Sequence, residues 1–145
     1  GKTVLIKRFL KNDHSGEVEA LKQIPGITVL PCTRQFGFSW KMKQEEKEEA
    51  KEYYGEELEK AWKTAWGQDA DMLILDEAVG ACSLGFIKEE RLLELIGCKP
   101  EKLEVILTGR NPSKELLAAA DYVTEMVMRA HPYTRGIPAR KGIEY

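Results

Sequence analysis

The sequence predicts an α/β fold: a mostly parallel sheet in three layers, with helices on both faces. Short apolar runs alternate with helical patterns along the chain, the order that yields parallel strands joined by crossover helices. One of those runs, Met72-Leu73-Ile74-Leu75, is apolar without alternation, as suits a strand covered on both sides. The 145 residues are enough for one domain with one core, spanning 1–145.

The elements follow in order. Val4-Leu5-Ile6, with Phe9-Leu10 beyond it, reads as the first strand. Residues 15–24 read as a short helix, with Val18, Leu21 and Ile24 on one face and Pro25-Gly26 as its stop. Ile27-Thr28-Val29-Leu30 is a second strand, and an aromatic-rich turn follows through Trp40. Residues 43–66 are strongly charged and predict one long surface helix, with a bend allowed at Gly55. Its Tyr54, Leu58, Trp62 and Trp66 recur every four residues and predict an inward stripe. The third strand is the run ending in Asp76-Glu77. A helix over 88–98 turns Leu92, Leu93 and Ile96 inward, and Val105-Ile106-Leu107 is the next strand. Asn111-Pro112 predicts an N-cap and a first-turn proline for a helix through Ala120. Tyr122 to Met126 predicts a further strand, and the tail from Ala130, rich in Gly, Pro, Arg and Lys, reads as irregular.

Composition narrows the function. A net charge of −2 argues against a protein that grips a nucleic-acid backbone. Basic spots at 7–11 and 135–141 suit either a small anion or solvated surface lysines. No apolar run reaches the roughly 18 residues of a membrane span, and the first residues do not form a secretory leader. Cys32, Cys82 and Cys98 are odd in number and lack CxxC spacing, which disfavours a disulfide framework or a zinc site. His14 and His131 make no metal site with each other on spacing.

In parallel α/β sheets ligands bind beyond the carboxyl ends of the strands, and three strand ends carry reactive groups. Asp76-Glu77 closes the third strand, where adjacent carboxylates can hold a magnesium ion on a phosphate chain; the pattern is also that of a strand end turning into solvent. Thr108-Gly109-Arg110 closes the fourth, with a hydroxyl, a close-approach glycine and a guanidinium fork for phosphate oxygens; it equally describes a plain turn with a surface arginine. Gly37-Phe38-Ser39-Trp40 follows the second, and its two rings either bury each other or wedge against a flat apolar ligand. Gly1-Lys2-Thr3 looks like the end of a phosphate loop, but Val4, Leu5 and Ile6 favour a strand where such a loop needs a helix.

Taken together, these segments resemble the ATP:corrinoid (cobalamin) adenosyltransferases of the P-loop type. The matching stretches are Arg8-Phe9-Leu10-Lys11, Glu19-Ala20-Leu21-Lys22, Gly37-Phe38-Ser39-Trp40, Leu73-Ile74-Leu75-Asp76-Glu77 and Leu107-Thr108-Gly109-Arg110. They continue through Ala120-Asp121-Tyr122-Val123-Thr124-Glu125-Met126, His131-Pro132-Tyr133 and the closing Gly136-Ile137-Pro138-Ala139-Arg140-Lys141-Gly142-Ile143-Glu144-Tyr145.

The resemblance implies a P-loop NTPase (RecA-like) sheet whose first strand and phosphate loop are missing from this chain. It implies transfer of the 5′-deoxyadenosyl group of ATP to reduced cobalt, with Mg2+ or Mn2+ on the leaving triphosphate. It assigns Phe38 and Trp40 to the wedge that strips the lower cobalt ligand, Glu77 with Asp76 to the metal, and Thr108 with Arg110 to the nucleotide. His131 and Gly136 fall in a tail near the active site. A flavin-type electron donor, a homodimer and a cytoplasmic setting come with the family, and nucleic acid and membrane do not. The chain departs from the pattern at Val79, where a polar residue is common, at Arg8 in place of glutamine, and at Ala130 in place of lysine. A non-catalytic relative that only binds nucleotide or corrinoid is the alternative, and an unrelated hydrolytic P-loop ATPase is a third reading.

Overall fold

The computed structural model describes residues 1–11, 16–37, 39–140 and 143. Four strands form one sheet: β1 (Val4–Arg8), β2 (Ile27–Val29), β3 (Met72–Asp76) and β4 (Glu104–Leu107), in the order β2-β1-β3-β4. Every pairing is parallel, with Val4 opposite both Ile27 and Met72, and Met72 opposite Glu104. All four carboxyl ends therefore open on one rim. The helices are α1 (Gly16–Leu21), α2 (Gln44–Gly67), α3 (Ala78–Ser83), α4 (Glu89–Gly97) and α5 (Lys114–Ala118).

Two neighbouring side chains of β1 establish the layers. Successive strand residues point to opposite faces. Lys7 reaches Glu57 on α2, and Arg8 reaches Glu17 on α1, 3.2 Å away. The two helices therefore cover opposite faces, and the sheet is the middle of three layers. Leu5, Phe9, Leu73 and Leu75 bury themselves on the α2 side against Tyr54, Leu58, Ala61 and Trp62. The other side is thinner: Val18 of α1 is buried, whereas Ile74 is half-buried and Ile106 is 41% exposed. Helices thus cover both faces of the sheet as expected, the α1 side more thinly.

Helix α2 runs unbroken through Gly55, and the Glu46 carboxylate reaches back to accept from the Lys43 amide at 2.8 Å. Its stripe differs from expectation at one end. Tyr54, Leu58 and Trp62 are buried, but Trp66 is 54% exposed, and Ala61 and Ala65 take over the inward face. A four-residue repeat drifts by about 40° per step on a helix of 3.6 residues per turn, so by the third step it has left the core. Ile24, expected on the α1 face, lies beyond that helix's last residue and is exposed.

Two further expectations are corrected. The N-cap of α5 is Ser113, whose hydroxyl accepts from the Leu116 amide at 3.0 Å; Asn111 instead takes a left-handed φ of 58°, and the helix ends at Ala118. Tyr122 to Met126 forms no strand: Tyr122 and Met126 are each 95% exposed. Strand propensity needs a neighbour to supply the ladder. The sheet stops at β4 among the described residues. Also among these, no helix is long and apolar enough to cross a membrane.

Candidate active site

The carboxyl rim gathers most of the residues singled out from sequence. Asp76 ends β3, and both of its carboxylate oxygens are engaged: Oδ1 accepts from the Thr108 hydroxyl at 2.6 Å and Oδ2 from the Lys11 ammonium at 2.8 Å. Burial alone would raise the Asp76 pKa, but Lys11 and Thr108 outweigh it and hold it below the ordinary value. Burial alone would lower the Lys11 pKa, but Asp76, with Glu17 nearby, outweighs it and holds the ammonium above its usual value. Thr108 also accepts from the Glu77 amide at 3.0 Å, so its oxygen ties the ends of β3 and β4 together.

Glu77 differs from its neighbour. Its backbone is left-handed, with φ 60°, a conformation uncommon for a residue with a side chain. Among the described residues nothing donates a hydrogen bond to its carboxylate. Both oxygens of the Asp76 carboxylate are thus engaged, and among the described residues those of Glu77 accept no hydrogen bond.

The turn after β4 packs closely on the start of α3. A Cβ built on Gly109 would stand 2.5 Å from the Gly80 amide nitrogen and 2.9 Å from the Val79 Cβ, and Gly109 has φ 141°. Val79 is buried, and its amide donates to the Thr108 carbonyl at 3.1 Å. The small residues of α3, which sequence reading did not recognise as a helix, let the β4 turn lie against its first turn. Gly109→Ala is expected to cost about 3 kcal/mol or more, because the clash is with backbone. Gly136→Ala, at φ 72° with open space around it, should cost about 1 kcal/mol. Urea unfolding of the two variants measures the contrast.

Beside the acids lies an open apolar cleft of about 170 Å3, lined by Leu10, Phe36, Gly37, Trp40, Tyr54 and Phe86 among others. The Tyr54 ring lies 5.5 Å from that of Phe36 and 5.9 Å from that of Phe86. Burial pushes the Tyr54 phenol up to about 12, so it stays neutral. Trp40 stands at the cleft mouth, 74% exposed. Phe38 lies outside the described residues.

The remaining predicted residues are less connected. Arg110 is exposed on the rim, with no hydrogen bond or ion pair to another described residue. His131 and Gly136 cap the short 3-10 turn Pro132–Arg135, and the hydrogen bonds of His131 stay within that turn. No hydrogen bond among the described residues joins them to Asp76, Glu77 or Thr108. The basic spot at 7–11 is not a patch of solvated lysines: Lys7 and Arg8 are 1% and 2% exposed. Lys2 and Thr3 bind Asp71 at the opposite, amino edge of the sheet and lead directly into β1. Leu10 and Lys11 were missed individually as site residues. The apolar-then-basic step just beyond a strand was the signal available.

A divalent cation fits this rim. Among the described residues no three His, Cys, Asp or Glu side chains cluster to cage a metal. Mg2+ commonly takes only one or two carboxylates, completing its shell with water and substrate phosphates, and Glu77 offers such a carboxylate.

Residues 1–145, the whole chain, match the family described as ATP:corrinoid adenosyltransferase BtuR/CobO/CobP. A corrinoid adenosyltransferase of Pseudomonas aeruginosa is 34% identical over 150 residues, covering all of this chain and 70% of the relative. One from Sinorhizobium sp is 30% identical, over all of this chain and 68% of the relative. One from Escherichia coli K12 is 26% identical, over all of this chain and 72% of the relative. With the family match covering the rim, the cleft and the tail, the chain belongs to the ATP:corrinoid adenosyltransferase family.

Proposed function

We propose that this protein transfers the 5′-deoxyadenosyl group of ATP to the reduced cobalt of a corrinoid and releases triphosphate. The observation that carries the reading is the adjacency of a disengaged carboxylate, Glu77, and a ring-lined cleft at one sheet rim. Cobalt in its reduced state carries a lone pair; as it bonds to C5′ of ATP, the C5′–O bond breaks and triphosphate leaves with the bonding electrons.

The chain's residues divide the work. Trp40, with Phe38, offers an apolar surface to one face of the macrocycle and keeps a lower ligand or water from the metal at its centre. This lowers the cost of reaching the reduced state and sets cobalt against the carbon. Arg110 offers paired donors to the phosphates, and Thr108 holds Asp76 so that Glu77 faces the nucleotide. Mg2+ or Mn2+ held by Glu77 would neutralise charge developing on the triphosphate. His131 and Gly136 belong to the same reading as tail residues near the site.

A flavin-type reductant supplies the electron in this scheme. The three free thiols suit the reducing cytoplasm such a donor requires. A second copy of the chain is the partner this reading brings, supported by the exposed Tyr122, Val123, Met126, Val127 and Met128.

The test is incubation with ATP, Mg2+ and chemically reduced corrinoid. Appearance of the cobalt–carbon chromophore with one triphosphate per turnover is the expected result. Binding of both substrates without product would favour the non-catalytic relative, and orthophosphate as the only product would favour a hydrolytic ATPase.

A further inference from the structure

We propose that Leu10 is a positioning residue for the corrinoid, a fixed apolar spacer between the aromatic cleft and the Glu77 carboxylate. The assignment rests on the functional reading above and deepens it. Leu10 follows β1, and both of its neighbours are tied to one residue. The Phe9 amide donates to the Asp76 carbonyl at 2.8 Å, and the Lys11 ammonium binds the Asp76 carboxylate. Between these two contacts the chain turns at Leu10, which has φ 57°. That left-handed conformation is uncommon outside glycine, asparagine and aspartate, and leucine gains nothing locally from it.

The turn gives its side chain a defined place. Leu10 lines the cleft together with Trp40, Tyr54 and Phe86. Its Cδ1 is 3.5 Å from the point where a Cβ on Gly80 would stand, and the Glu77 Oε2 is 3.0 Å from that same point. The isobutyl group thus stands where the ring-lined space gives way to the acid. An aliphatic group can hold neither phosphate nor metal. It can set how closely a flat apolar ligand approaches the carboxylate, and it can keep water from the seam between them.

Leu10→Ala and Leu10→Gly test the role, with Leu10→Met as the conservative variant. Glycine adopts the left-handed turn without strain, so Leu10→Gly folds even where Leu10→Ala is weakened. Two measurements are made: KM for each substrate, and equilibrium titration with cob(II)alamin followed by tryptophan fluorescence. Loss of the spacer is expected to weaken corrinoid binding about tenfold in the Ala and Gly variants, a typical effect of deleting apolar contact in a pocket. The KM for ATP should stay within about twofold, and Leu10→Met should restore corrinoid binding to within about threefold. Corrinoid binding unchanged in the Ala and Gly variants, or weakened equally for ATP, overturns the proposal. A wild type that binds corrinoid normally while the variants match it overturns the role of Leu10 alone. A wild type that binds no corrinoid overturns the functional reading and this role together.

Discussion

Glu77→Gln is expected to lower kcat by about 10²–10³-fold, the usual consequence of losing one fixed group that meets developing charge. The substitution keeps the side chain's size and one oxygen but removes the charge that a divalent cation needs. Corrinoid binding should be unaffected, because the cleft rings do not depend on that carboxylate, and Mn2+ affinity in the presence of ATP should fall in step with rate. Glu77→Gly sharpens the test. Its φ of 60° costs a residue with a Cβ about 1–2 kcal/mol, which glycine avoids. The Gly variant should melt no lower than the parent and yet be inactive, a separation that a purely structural glutamate would not produce.

Asp76→Asn should behave in the opposite way. Asp76 is engaged by Lys11 and Thr108, so its loss loosens the junction of β3 and β4 and acts on rate through the placement of Glu77. Because its pKa is depressed in the folded protein, the stability it contributes is complete above the ordinary value of 3.8 and is lost as pH falls through the folded value. Stability profiles in acid should therefore differ between the parent and Asp76→Asn while converging at low pH.

The sheet was legible because each strand is a short apolar run followed by a turn signal, and hydrophobic periodicity reports burial directly. The rim was legible for a related reason: in a parallel sheet, the residue that ends a strand is placed by the strand itself, so Asp76, Glu77 and Thr108 meet wherever β3 and β4 pair. What failed depends on distance or on partners. Trp66 left the stripe through accumulated helical drift, and Tyr122 to Met126 has strand-like residues but pairs with no strand among the described residues. Lys7 and Arg8 read as surface cations because nothing local shows that Glu57, fifty positions away, comes to lie over Lys7. The hydrogen bonds that engage Asp76 were equally hidden, since one of them comes from Lys11, sixty-five positions away. Nor did sequence reveal that Val79, in place of a polar residue, packs beneath Gly109.

The buried pair of Lys7 and Glu57 gives the largest expected effect on stability. Lys7 is 1% exposed, and its ammonium has two acceptors, the Glu57 carboxylate and the Pro31 carbonyl at 2.7 Å. Glu57 keeps a second cation, Lys60, at 3.0 Å. Burial would raise the Glu57 pKa, but Lys7 and Lys60 outweigh it and leave it below 4.5. Removing either partner strands a charge away from water, at a cost of about 3–5 kcal/mol. Glu57→Leu should be the worse of the two, because Lys7 would retain one carbonyl alone, whereas Lys7→Met leaves Glu57 with Lys60. For a domain of this size the loss lowers Tm by roughly 10 °C. The double variant Lys7→Met with Glu57→Leu should recover most of it, since apolar groups of similar volume remove the desolvation penalty together with the attraction. The sign with pH follows from the depressed carboxylate: the pair's contribution is whole above 4.5 and fades as pH drops through the folded value. Thermal melts of the four proteins at pH 7 and pH 4 measure it, and a double variant no better than the singles would mean that the ion pair also specifies the register of α2 on β1.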